Sequence, residues 1–123
     1  MDGIGEACGS AGSKGDMYWV VGAPADFRCG VERLLVQVRE TLGRSPLDGS
    51  AFVFRNRRSN RIKVLKVDAQ GVWLATRRLH EGRFCWVSAL EPMASLTRRQ
   101  FRWLCAGVDW QRLSASLPLE KQV

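Results

Sequence analysis

The stretch FVFRNRRSNRIKVLKVD, residues 52–68, decides how the chain folds. Phe52–Phe54 and Ile62–Val67 are rich in β-branched and aromatic residues, and they flank the short polar connection RNRRSN. A connection of that length returns the chain antiparallel, because a parallel partner needs a crossover of a dozen residues or more. The same stretch holds six cations, Arg55, Arg57, Arg58, Arg61, Lys63 and Lys66, opposed by Asp68 alone. Like charges crowded on one hairpin repel each other when the chain folds, so the segment calls for something beyond folding to explain it.

Downstream, DAQG (68–71) is a turn of Asp and Gly. VWLATRRL follows as a further strand, HEGR (80–83) turns again, and FCWV (84–87) reads as the next strand. Three short connections in succession predict an antiparallel meander. Upstream, MYWVVG contributes a strand from about Met17 to Val21, and GAPADFRCG turns the chain, with Asp26 placed to cap a helix. Val31, Leu34, Leu35, Val38 and Leu42 then recur at the spacing of an amphipathic helix, and Gly43 suits its end. RSPLDG reads as a loop and SALEPMAS as irregular chain. Thr97 and Gln100 match a capping box that opens a second helix, with Phe101, Leu104, Cys105 and Val108 inward. The five tryptophans, Trp19, Trp73, Trp86, Trp103 and Trp110, supply much of the core. The expected fold class is α+β: an antiparallel meander of four to five strands with two amphipathic helices packed on one face. Residues 1–16, rich in Gly, Ser and Ala, read as a flexible leader, 17–112 as one domain, and 113–123 as a frayed tail.

Bulk composition narrows the function. A chain of 123 residues with 46% hydrophobic and 25% charged residues supports a single packed domain. The net charge is +7, and residues 55–83 hold nine cations against two acids, which is the entire excess. A localised excess points to an anionic partner. Cys8, Cys29, Cys85 and Cys105 show no CxxC spacing, so no zinc knuckle or redox dithiol is expected and the thiols suit a cytoplasmic protein. No secretory signal and no apolar run of membrane-spanning length is visible, so no membrane partner is expected.

Catalytic chemistry finds little support. His80 is the single histidine and lies in a turn; a pair with Cys85 has no supporting motif. The carboxylates form no D-x-D and no acidic set for metal ions, and phosphate-loop motifs are absent, so no cofactor, metal or catalytic residue is expected. The basic meander remains. Arginine grips phosphate through paired donors, and Phe52, Phe54, Trp73, Phe84 and Trp86 lie among the cations as stacking candidates. Edge cations also guard strands against aggregation, but that bland role does not account for a region carrying the whole net charge.

DFRCGVERLL, PLDGSAFVFRNRRSNRIKVLKVDAQGVWLATRRLHEGRFCW and LTRRQFRWLCAGVDW occur in this order. Together they closely resemble the small TnpB-type accessory protein of bacterial transposons of insertion-sequence family 66, over about residues 17–112. The resemblance implies a non-enzymatic role in DNA transposition beside a larger transposase that carries the catalytic acids. In the family's D-[MF]-R-[KR]-[GS] motif, Asp26, Phe27, Arg28 and Gly30 fit, while Cys29 stands where a basic residue is usual. The expected partners are DNA at the transposon ends and the transposase of the same element. Arg28, Arg55, Arg57, Arg58, Lys63, Arg77, Arg78 and Arg83 are the candidate nucleic-acid contacts. The alternative is a protein–protein adaptor that docks on acidic transposase surface without touching DNA, through these cations or through Arg98, Arg102 and Trp103.

Overall fold

The computed structural model describes residues 17–43 and 49–116. The expected leader 1–16, most of the RSPLDG loop and the end of the expected tail lie outside the described residues. Strand β1 (Tyr18–Val21) is followed by helix α1 (Val31–Leu42), then by β2 (Ala51–Arg55), β3 (Arg61–Val67), β4 (Val72–Arg78) and β5 (Met93–Leu96), and by helices α2 (Arg98–Cys105) and α3 (Trp110–Ser116). The fold is α+β: a five-stranded open sheet of order β4-β3-β2-β1-β5 in which three of the four pairings are antiparallel.

The β2–β3–β4 meander forms as its connections predict. At the β3–β4 turn, the Asp68 carboxylate accepts from the backbone N–H groups of Gln70 and Gly71, both at 2.9 Å. The departures lie on the other side of β2. Strand β1 pairs with β2 in parallel, because the connection between them carries α1 and is long enough for a crossover. FCWV adds no strand. Phe84 is buried, and the Trp86 indole donates to the Val21 carbonyl at 2.7 Å, so the segment is apolar because it packs across the sheet rather than within it. The place beside β1 is taken by Met93–Leu96, inside the stretch expected to be irregular.

The helices do not share a face. Alternation sends Phe52, Phe54 and Leu65 to one side of the sheet, against Leu34 and Val38 of α1. Ala51, Val53, Ile62 and Val64 go to the other side, where Phe101 and Leu104 of α2 and Trp110 of α3 join them. Strands β2 and β3 are apolar on both sides, and each side requires its own cover. Tyr18 stacks on Phe101 with ring centroids 4.1 Å apart.

Helix ends follow their local chemistry. Thr97 accepts from Gln100 N while the Gln100 side chain accepts from Thr97 N, so the capping box is present. Gly43 closes α1 at φ 69°, a left-handed conformation natural to glycine. The N-cap of α1 is Gly30, without a side-chain bond, because Asp26 is engaged with Arg28 instead. Val108 lies past the end of α2 and is exposed, and the chain expected to fray from 113 continues as α3 to Ser116. Among the tryptophans, Trp110 is buried, but Trp73 on edge strand β4 is 47% exposed.

Candidate functional site

The end of the sheet where β1, β2 and β4 finish and β3 begins gathers most of the candidate residues. The β2–β3 connection is held by one side chain. Asn56 Oδ1 accepts from the N–H groups of Asn60 and Arg61, both at 3.1 Å, and its Nδ2 donates to Asn60 Oδ1 at 2.7 Å. Ser59 takes a positive φ of 58°, and its backbone N–H returns to the Asn56 carbonyl. Within this braced turn Arg57 and Arg58 are exposed and make no side-chain hydrogen bond or ion pair among the described residues. Opposite the turn runs the segment that leaves β1. The two enclose a cleft of about 500 Å³ lined by Pro24, Ala25, Asp26, Phe27, Arg28, Asn56, Arg57 and Arg58.

Arg28, at 91% side-chain exposure, is not a free cation. Its Nε and Nη2 donate to the two oxygens of Asp26, each at 3.0 Å. The Arg28 guanidinium lowers the Asp26 carboxyl to about 2, and the pair carries no net charge at neutral pH.

Arg55 and Lys63 belong to the framework. The half-buried Arg55 donates from Nε and Nη2 to the Gly22 carbonyl at 3.3 and 3.2 Å, and from Nη1 to Ser59 Oγ at 3.1 Å. Burial lowers its pKa from the ordinary arginine value. Lys63 Nζ donates to the Phe27 carbonyl at 3.2 Å and lies 5.0 Å from the centre of the Phe27 ring, which holds the Phe27 wall of the cleft against β3.

Arg77 and Arg78 point to opposite faces, as strand alternation requires. Arg77 Nε donates to the Cys105 carbonyl at 2.6 Å, where it satisfies an acceptor at the C-terminal end of α2. Arg78 is exposed and stands directly across from Arg61 in the β3–β4 register. The Phe84 N–H donates to Ser59 O at 2.7 Å and the Leu79 N–H to Asn60 O at 3.0 Å, so residues 79–84, with exposed Arg83, lie against the hairpin turn.

Of the eight candidates, Arg28, Arg57 and Arg58 line one cleft, and Arg78 and Arg83 join the same end of the sheet. Arg55 and Lys63 brace that end from within, and Arg77 serves the other face. Arg61 was missing from the candidates. Counting outward from the DAQG turn places it opposite Arg78, so the register carried that signal. Asn56 was missed as well, although an Asn opening a turn often bonds to the backbone beyond it.

The stacking candidates fail for burial: Phe52, Phe54 and Phe84 are inside the protein, and Trp86 is half-buried with its N–H committed. Trp73 is exposed, but it lies toward the opposite end of β4. Burial raises the thiol pKa of Cys85, and that of Cys105 to about 11, which keeps both protonated and weakly nucleophilic at neutral pH. Among the described residues no group of three or more His, Cys, Asp or Glu could hold a metal ion, and no helix is long and apolar enough to cross a membrane.

The family model described as IS66 Orf2 like protein matches residues 16–115. Two curated proteins of Sinorhizobium fredii (strain NBRC 101917 / NGR234) are similar to the chain. Uncharacterized protein y4hO is 41% identical over 93 residues, 76% of this chain and 81% of its own length. Uncharacterized protein y4jC is 33% identical over 101 residues, 82% of this chain and 86% of its own length. No solved structure matches the chain.

Proposed function

The chain belongs to the IS66 Orf2-like family, and on that premise we propose that it is a non-enzymatic accessory factor of DNA transposition that grips transposon-end DNA by its phosphates. That family is one of accessory proteins rather than a known enzyme class. The contact surface is the arginine-rich end of the sheet, with Arg57, Arg58, Arg61, Arg78 and Arg83 as the phosphate-binding side chains. Arg28 joins them once a phosphate competes with Asp26. Arg55, Lys63 and Arg77 act as supports. The protein works in the cytoplasm beside the transposase of its element.

One observation carries this reading: Arg61 and Arg78 face each other across β3 and β4, both exposed. The Leu79–Asn60 backbone bond makes 60 and 79 a hydrogen-bonded pair, so 61 and 78 form the neighbouring non-bonded pair, with Cα atoms about 4.5 Å apart. Like charges directly opposite destabilise a sheet. A phosphate between them converts that repulsion into binding energy, and counterion release makes the binding salt-dependent. The sheet carries no sequence-reading helix into a groove on this account, and backbone contact of this kind is largely indifferent to base sequence.

The test is an electrophoretic shift of transposon-end DNA by the purified protein at rising salt, with wild type and Arg61→Ala/Arg78→Ala. A shift at low salt that weakens steeply with salt, and weakens further in the variant, supports phosphate binding. No shift at low salt overturns it. Co-purification with the transposase that survives nuclease would instead favour the adaptor reading, in which the same arginines meet acidic protein surface.

A further inference from the structure

Strand β4 is an edge of the sheet, and six of its seven residues are exposed; only Ala75 is half-buried. Two backbone bonds fix its phase. Asp68 N–H to Gly71 O at 2.9 Å and Leu79 N–H to Asn60 O at 3.0 Å mark hydrogen-bonded pairs, so Trp73, Ala75 and Arg77 bond inward to β3. The N–H and C=O groups of Val72, Leu74, Thr76 and Arg78 therefore point outward. Edges of this length are usually blunted by a proline, a bulge or an inward-facing charge. VWLATRR has no proline and its register with β3 runs unbroken from Val72 to Arg78; its charges, Arg77 turned inward to the Cys105 carbonyl and Arg78, guard the second half alone, while the first half exposes Val72 at 45%, Trp73 at 47% and Leu74 at 39%.

We propose that β4 pairs antiparallel with β4 of a second copy of this chain about a two-fold axis at Ala75, joining the two sheets into one. The strand's own sequence selects this occupant. Its first half is apolar and its second half is cationic, so an antiparallel copy sets an uncharged residue, rather than a second cation, across from each arginine. With the axis at Ala75, the outward groups of Leu74 meet those of Thr76, and those of Val72 meet those of Arg78. On the face shared by Trp73 and Arg77, the indole of one copy lies across from the guanidinium of the other. Arg77 is already held there by the Cys105 carbonyl, and a guanidinium over an indole is an attractive pair.

The same register keeps like charges apart. Each chain carries +7, concentrated at the Arg78 end of the sheet. The two-fold axis sends the two basic ends in opposite directions, separated along the strands by about 20 Å for a seven-residue strand, beyond the screening length of about 8 Å at physiological salt. A register centred on Arg77 would instead stack arginine on arginine. The inference is independent of what the basic end binds.

The test is sedimentation of the full chain through the micromolar range, paired with amide hydrogen exchange at both ends of that range. The expected result is a doubling of molecular mass, with Leu74 and Thr76 amides becoming slow only at high concentration while Trp73 and Ala75 amides are slow throughout. Thr76→Pro removes an outward donor without touching the β3 ladder, and should return the mass to that of one chain with an unchanged circular dichroism spectrum. A wild type that stays monomeric overturns the proposal, as does a dimer in which Leu74 and Thr76 amides remain fast. Leu74 and Thr76 amides slow in a monomer would mean that the chain covers its own edge, which also overturns it. If Thr76→Pro fails to fold, the exchange pattern of the wild type decides alone.

Discussion

Arg55 and Arg57 are two residues apart in the same RNRR run, and the structure uses them in opposite ways. Arg55 is half-buried, and its guanidinium joins the Gly22 carbonyl at the end of β1 to Ser59 Oγ in the hairpin turn. Arg57 and its neighbour Arg58 are exposed at the lip of the cleft, on a turn that Asn56 holds rigid without their help. The difference teaches that a cation count measures charge and not availability. A guanidinium carries several donors on a long apolar stem, and one that meets backbone carbonyls becomes part of the scaffold. The sheet end has an inner layer of such residues, Arg55 and Lys63, and an outer layer free to meet a partner.

The contrast is broken most severely at Gly22, the acceptor of the inner layer. A Cβ there would collide with the Glu91 carbonyl oxygen and come within 2.5 Å of Ser88 O. Gly22→Ala should cost about 4 kcal/mol or prevent folding, because backbone rather than a flexible side chain must move. Urea denaturation followed by tryptophan fluorescence would read it; a midpoint near wild type would mean the 88–92 segment shifts freely.

Next comes Arg55→Met, which keeps the stem and removes the donors. It should cost about 2 kcal/mol, since the Gly22 carbonyl and Ser59 hydroxyl lose a charged partner. Arg55→Lys should recover less than half of that, because an ammonium does not reproduce the forked geometry. A loss below about 0.5 kcal/mol in Arg55→Met would place Arg55 with the outer layer.

Arg57→Ala/Arg58→Ala should leave stability within about 0.5 kcal/mol. Under the phosphate reading it should weaken DNA binding at every sequence and flatten the slope of log K against log salt by about 2. Unchanged affinity would assign the turn to solubility or to a protein partner.

The smallest effect belongs to Asp26. Because Arg28 depresses its pKa, the carboxylate's contribution to stability is complete above about pH 4 and is lost as pH falls toward about 2. Both partners are surface groups, so the thermal midpoint at neutral pH should barely respond to Asp26→Asn. Under the phosphate reading, DNA affinity is the sharper readout. Asn frees Arg28 and should tighten binding a fewfold at low salt, with a slope steeper by up to about 1. Weaker binding would show that Asp26 positions Arg28 for its contact.

The meander and both expected helices were legible because they rest on local signals: short polar connections, the Val31–Val38 stripe and the Thr97–Gln100 box. What escaped depends on chain far apart in sequence. FCWV and MASL are both short and apolar, and nothing local says that Met93–Leu96 takes the ladder beside β1 while Phe84 and Trp86 fill space across it. The helices were assigned one face because α1 and α2 each show one apolar stripe; that β2 and β3 are apolar on both faces argues for cover on each side. In the site, sequence found the basic end. Arg55, directly after Phe54 in the strand, is the arginine of the run most open to a structural role, but nothing local names its partner, because the Gly22 carbonyl is 33 residues away.

Strand β1 sits between β2 and β5 although it comes first in the chain. Its parallel neighbour arrives only after α1, and its antiparallel neighbour ends at Leu96. On the ribosome, therefore, the sheet cannot grow from its first strand. The β2–β3 hairpin, extended next by β4, is the earliest antiparallel unit able to close on itself, and β1 must wait, unpaired on one side, until Met93–Leu96 has emerged. A nascent chain halted between Arg78 and Met93 leaves the outward backbone groups of Tyr18 and Val20 as a bare ladder, so the vulnerable interval in this protein's synthesis is set by where β5 is encoded.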